Sequence, residues 1–326
     1  MDFSLTEEQA ALRMMGRDLF AKLYPTGRLR ELWEGGERDP QTWRVIAEQG
    51  LTGLAVSEEH GGFGGDAIDV MVVLEEAGRA CLPEPYLDTV AVALPLLTGT
   101  PLADQWLPTI VASDAIVSIK PADQPFAVDA DIADLLLIED AGSVLAVEAG
   151  SFTATHLPAE DRTRRLFSVT ASGGQRIGPA TAARAPGALA AAAVLNGIAG
   201  ALLDQTLGYV KVRQQFGVPV GSFQAVKHKL ASVFATLESS RAATRYAAYA
   251  AARGLPDAAT AASVAKVHAV EAESLANTEA LQCHAGIGFT WEHDLHFWLK
   301  RGRAMEHAYG SAREHRAALA ASLFDN

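Results

Sequence analysis

Two apolar stripes on either side of a short segment broken by glycine and proline constrain the second half of this chain more than any other feature. Before the break, Leu195, Ile198, Leu202, Tyr209 and Val212 recur at steps of three, four and seven, which places them on one face of a helix. After it, Phe223, Val226, Leu230, Val233 and Leu237 repeat at alternating steps of three and four, and Ser222 stands where an N-cap belongs. Gly217, Pro219 and Gly221 interrupt both patterns, so the spacing predicts two long helices running antiparallel across a tight turn. The end of the first helix directs Arg213 and Phe216 into the corner between them, and packing alone does not explain that pair.

A chain of 326 residues with 49% hydrophobic and 20% charged content can bury a substantial core. The net charge of -12 and the lack of a dense basic run exclude nucleic acid and anionic membrane as main partners. The first residues, Met1 to Glu8, are charged where a signal peptide needs an apolar run, and no uninterrupted apolar stretch of about twenty residues is evident. A cytoplasmic location is therefore expected. Cys81 and Cys283 have neither a disulfide framework nor metal-ligand spacing, so two free thiols are expected.

Thr6 to Gln9 reads as a capping box ahead of a helix from Glu7 to Leu23, and Pro40 to Gln49 as another helix. The run from Ser57 to Gly65 carries four glycines but lacks a preceding strand and the dinucleotide spacing, so its first reading is structural. Helical patterns resume over 68–78, 85–97 and 102–111. From about 115 to 170 the character changes: Leu135 to Ile138 and Val144 to Val147 flank Asp140-Ala141-Gly142 as a hairpin. Strands are expected to be few here, and the polar segment from Pro158 to Arg165 to add little core. Ser172 to Pro186 reads as a linker, followed by alanine-rich helices whose small side chains let their axes approach closely. The expected division is 1–113 helical, 114–175 a reduced β domain, and 176–326 a helical bundle.

A second chemical stretch runs from Leu281 through Gln282, Cys283, His284, Gly286, Gly288 and Trp291 to His296. A helix ending at two glycines lets backbone N–H groups approach a phosphate closely, and Gln282 adds an amide. With Arg213, whose planar fork suits a pyrophosphate, these are the pieces of a dinucleotide site without a Rossmann strand-turn-helix. The plainer reading of Gly286 and Gly288 is a helix C-cap, and of Trp291 and Phe297 core packing. His293 and His296 lack a third ligand for a metal.

Together, Arg213-Gln214-Gln215-Phe216-Gly217, Gly221-Ser222-Phe223-Gln224 and the run from Gln282 to Glu292 closely resemble the acyl-CoA dehydrogenase family, in the right order and along the whole chain. The resemblance implies a mainly α fold with an N-terminal helical domain, a small, trimmed β domain and a C-terminal four-helix bundle. It implies FAD between subunits of an oligomer. Arg213, Phe216 and Gln224 would contact the adenosine diphosphate portion of one flavin, Gln282 and Gly286 would reach a flavin bound mainly by the neighbouring subunit, and Ser311, matching a family threonine, would assist. The implied partners are an acyl-CoA substrate, an electron-transfer flavoprotein, and either further copies of this chain or a second acyl-CoA dehydrogenase-like chain.

Departures fall on the catalytic side. The family's base is a carboxylate, commonly in a Glu-Gly-Thr run, where this chain has Tyr309-Gly310-Ser311. Alternative family positions fall near Gly187 and Val194, neither acidic. Tyrosine, with an ordinary pKa of about 10, is a poor base at neutral pH. Glu306, one turn before Tyr309, is the remaining carboxylate candidate. Where the family has Thr-Glu-Pro beside the flavin ring, this chain has Ile119-Lys120-Pro121. The resemblance therefore leaves open a subunit of a heteromeric enzyme like those of actinobacterial fatty acid or steroid catabolism, a self-sufficient homo-oligomer with a relocated base, and a flavin-free helical scaffold.

Overall fold

The computed structural model describes residues 4–324. Helices α1 (Glu7–Leu23), α2 (Thr26–Trp33), α3 (Gln41–Glu48) and α4 (Ala67–Arg79) open the chain. A π-helical stretch, Leu87–Ala93, runs into α5 (Leu94–Leu97), and α6 (Ala103–Val111) follows. The Thr6 capping box is present, and Asp66 and Asp69 form a second one at the start of α4. The sequence pattern did not signal α2, whose N-cap Pro25 makes no side-chain cap bond.

The middle region is richer in strands than its sequence suggested. Strands β1 (Val117–Lys120), β3 (Leu135–Asp140), β4 (Ser143–Glu148) and β7 (Gln175–Pro179) form one sheet in the order β1-β3-β4-β7. Strands β2 (Ala127–Val128), β6 (Leu166–Ala171) and β5 (Phe152–Leu157) form a second in the order β2-β6-β5. The β3–β4 hairpin is the one expected around Ala141 and Gly142. The expected linker instead carries β7, paired with β4 through a register shift. Nor is the segment from Pro158 to Arg165 without core: Asp161 and Thr163 are buried, and Arg301 donates to both, at 2.5 and 2.7 Å, and to Leu82 O at 2.7 Å. A single guanidinium thus joins the β region to the helices before and after it.

The centre is α7 (Arg184–Val212), alanine-rich and buried around most of its circumference, as expected of a helix apolar on all sides and enclosed by neighbours. It is long and apolar enough to pass for a membrane span, which the sequence reading did not recognise, but 94% of its most apolar window lies inside the protein. Glycines set its approach to α4: a Cβ on Gly197 would lie 1.9 Å from Glu75 O, and one on Gly78 would lie 2.1 Å from Val194 O. Helix α8 (Gln224–Ala252) is tied to α7 by Asn196, which donates to Thr244 Oγ1 at 2.9 Å and accepts from Ser240 Oγ at 2.5 Å. Helices α9 (Ala258–His284), α10 (Leu295–Met305) and α11 (Ala312–Phe324) complete the C-terminal bundle.

Candidate functional site

The α7–α8 connection is a two-stranded hairpin, β8 (Gln214–Gln215) with β9 (Val218–Pro219), followed by a short 3-10 turn. Ser222 does not cap α8: its hydroxyl donates to Pro219 O at 2.7 Å, and Phe223 occupies the N-cap without a side-chain cap bond. Nor does the apolar stripe of α7 stay buried to its end. Leu195, Ile198 and Leu202 are core, but Val212 is 75% exposed. Arg213, Phe216 and Gln224 point outward rather than into a closed corner; Phe216 is 93% exposed, touches Phe223 edge-on, and holds a left-handed φ of 53°.

The second motif lies at the same end of the bundle. Tyr209, one turn before Arg213, stacks on His284 with ring centroids 4.4 Å apart, and His284 lies two residues after Gln282. Helix α9 ends at His284 with Ala285, not a glycine, in the positive-φ C-cap position, and the chain continues as a 3-10 turn over Ala285–Phe289. Gln282 and Gly286 are exposed, and a Cβ on Gly286 would meet nothing within 4 Å. Trp291 is 59% exposed, whereas Phe297 is core. This surface thus presents a guanidinium, two amides, an open glycine turn and the uncapped N-terminus of a long helix, a donor set that fits a diphosphate. Ser311 is committed elsewhere: its hydroxyl donates to Glu314 Oε2 at 2.7 Å and accepts from Glu314 N, capping α11.

At the position that the resemblance assigns to the base, the Tyr309 hydroxyl donates to Asp88 Oδ1 at 2.6 Å. The backbone at Tyr309 is left-handed, with φ 55°, and its ring lies where a side chain on α7 would stand: a Cβ on Gly187 would be 2.2 Å from Tyr309 Cδ1. Two of the sequence departures are therefore one packing arrangement. Val194, the third position, is buried with its carbonyl against Gly78. Glu306 faces a different group, accepting from Arg303 Nη1 at 2.7 Å and neighbouring Glu273 and Lys266.

Burial pushes the Asp88 carboxyl up to about 6, with the Tyr309 hydroxyl and Arg164 holding it down against that rise. Burial, then the facing Asp88, pushes the Tyr309 phenol well above its ordinary value, which removes it as a base. Beside Asp88 is a cavity of about 70 Å³, walled in part by Arg164, Val194, Arg301 and Met305. Its volume corresponds to about two water molecules. Behind it, Tyr24 donates to Glu84, and Arg38 pairs with buried Asp129. Sequence reading missed Asp88 and Arg164. The available signal was a lone carboxylate in the otherwise apolar helical run that continues to Leu97.

Toward the small sheets, Lys120 turns back on its own loop, donating to Pro121 O at 3.4 Å and Gln124 O at 3.2 Å. Both cysteines are free, and burial raises the Cys81 thiol to about 12. Among the described residues, no three His, Cys, Asp or Glu side chains cluster as metal ligands.

Residues 6–114 match the family model for the acyl-CoA dehydrogenase N-terminal domain, and residues 180–324 match that for the acyl-CoA dehydrogenase C-terminal domain. Acyl-CoA dehydrogenase IpdE2 of Mycolicibacterium smegmatis is 36% identical over 290 residues, 88% of this chain and 89% of the relative. Acyl-CoA dehydrogenase IpdE2 of Mycobacterium tuberculosis is 35% identical over 277 residues, 85% of this chain and 84% of the relative. Among solved structures, a variant of the Tcur3481-Tcur3483 steroid ACAD superposes with a TM-score of 0.89 at 27% identity, covering 98% of each chain.

Proposed function

The chain belongs to the acyl-CoA dehydrogenase family, and we propose that within it this chain is one subunit of a heteromeric, FAD-dependent enzyme that converts an acyl-CoA thioester to the 2,3-enoyl-CoA. The reading rests on one observation: at the position assigned to the base stands Tyr309, hydrogen-bonded to Asp88 and packed over Gly187. In this chemistry a carboxylate takes the proton alpha to the thioester, and FAD, when bound, accepts the hydride from the beta carbon. This chain's contribution is to the nucleotide end. Arg213, Gln224, Gln282 and Gly286 would hold the diphosphate and adenosine of a flavin whose ring and base are completed by a second dehydrogenase-like chain. A steroid-derived acyl group is the favoured substrate class, by likeness to the Tcur3481-Tcur3483 steroid ACAD. Electrons would leave through an electron-transfer flavoprotein.

One observation supports a self-sufficient enzyme instead: Asp88 is a carboxyl with a pKa near 6 beside a cavity, which suits a relocated base. At about 70 Å³ the cavity is too small for a thioester with its α and β carbons, so wall residues such as Arg164 would have to move aside.

Flavin content per chain, read from visible absorbance, separates the two. The heteromer reading expects clearly less than one flavin per chain for protein expressed alone, with flavin and turnover gained on coexpression with a second dehydrogenase-like chain. One flavin per chain with robust turnover, lost in Asp88→Asn, would overturn it and establish the self-sufficient enzyme. Flavin-free protein with every partner tried would leave only a scaffold role.

A further inference from the structure

A cavity of about 660 Å³ opens between the α2–α3 connection and the β5–β6 loop, apart from Tyr309 and from the α7–α8 hairpin. That volume is in the range of pockets that enclose a whole small molecule. One part of its wall is apolar, formed by Leu32, Trp43, Ile116 and Ile132. Another carries Arg38, Arg44 and Arg162.

Arg165, also in this wall, pairs with Asp131, but the other three are less fully paired. Arg38, with a side chain only 9% exposed, donates one Nη to Asp129; its other Nη is buried without a hydrogen-bond partner, and Glu84 Oε2 is 3.9 Å away. Among the described residues, Arg44 pairs with no carboxylate, and Arg162 lies over the Trp33 ring at 5.8 Å without one. Trp43 in the same wall has a buried Nε1 that also lacks an acceptor. Two of the wall's carboxylates are engaged locally: Glu84 accepts from Tyr24, and Asp39 accepts from Gln41 N at 2.9 Å. Glu37 is exposed to solvent.

We propose that this cavity binds a small organic anion, a single carboxylate or sulfonate on a flat apolar ring system. Arg44 and Arg162 take the charge, and Trp43, Ile116 and Ile132 take the rings. A carboxylate's two coplanar oxygens match the guanidinium fork, and an indole face accommodates a flat ring. The neighbouring acidic side chains and the net charge of -12 disfavour a polyanion, in keeping with a ligand of a single charge.

The test is isothermal titration of the full chain with 2-naphthoate and with its neutral counterpart 2-naphthamide. One naphthoate per chain is expected, bound about tenfold more tightly than the amide, the discrimination that charge-assisted bonds from two guanidiniums should provide. In the double variant Arg44→Gln, Arg162→Gln that preference should vanish while weak amide binding persists. Both positions are exposed, so the variant should fold, which circular dichroism checks. Phe234→Asp, in the separate groove between α7 and α8, should leave the titration unchanged. Equal affinity for acid and amide, no saturable naphthoate binding, a preference that survives in the double variant, or binding abolished by Phe234→Asp would each overturn the assignment.

Discussion

Tyr309 and Asp88 are 221 positions apart, and their hydrogen bond makes a pH prediction. The Asp88 carboxyl rises from its ordinary 3.8 to about 6 on folding, so between those values the folded chain holds a proton that the unfolded chain has released. Stability from this group therefore falls as pH rises through that window and levels off above it. Asp88→Asn removes the desolvated charge and keeps an acceptor for Tyr309, so in urea denaturation it should equal or exceed the parent at pH 7.5 and lose this slope. Tyr309→Phe acts in the opposite direction: it strips an ionised carboxylate of its donor and should cost about 1–3 kcal/mol at pH 7.5. The loss should shrink at pH 5, where Asp88 is protonated. Equal losses at both pH values would mean that the phenol matters for packing and not for the charge. Neither partner announces the other in sequence, because local pattern carries no information about a contact of this separation.

At the scale of elements, the crossing of α4 on α7 depends on missing side chains. Gly197→Ala would drive a Cβ into Glu75 O, and backbone cannot yield as a flexible side chain does, so overpacking should cost about 1–3 kcal/mol or more. Gly208→Ala is the matched control on the same helix. It is exposed, meets nothing within 4 Å, and should stabilise by about 0.5–1 kcal/mol through helix propensity. If both substitutions shift the urea midpoint in the same direction, the close approach does not govern the packing. Helix α8 was legible because one-sided burial imposes a 3.6-residue period, α7 through its long apolar and alanine-rich run, which is buried on all sides, and Thr6 marked its helix through a local capping box. The β region was not. Strand β7 is five residues that end in proline at a sheet edge, read as a linker, and gains its pairing from β4 about thirty residues earlier. Likewise β1 runs parallel to β3, a pairing that no hairpin signal can reveal. Of the candidate site, the motif residues and Tyr309 at the base position were legible, while the exposure of Arg213 and Phe216 and the packing of Tyr309 over Gly187 and against Asp88 were not.

The whole molecule leaves one end of its bundle unfinished. Val212, Phe216, Val218, Phe223 and Phe234 are all exposed on or beside the α7–α8 hairpin, and a groove of about 590 Å³ runs between the two helices there. Apolar side chains gathered in this way fit the face that the proposed second chain would cover. Phe216 allows the isolated chain and the assembly to be tested separately, because it is strained and almost without contacts in its own chain. Phe216→Asn keeps the left-handed backbone with a residue that tolerates it, relieving up to about 1 kcal/mol of strain, so the isolated chain should melt at the same temperature or slightly higher. In the coexpressed complex the same substitution removes the exposed ring from the proposed nucleotide face, and flavin retention through gel filtration should drop about tenfold, the loss expected when an interface aromatic is truncated. Opposite signs in the two measurements would assign Phe216 to the assembly. A loss of melting temperature with unchanged flavin retention would make it a packing residue of its own hairpin, and the nucleotide end of the site would then have to lie elsewhere.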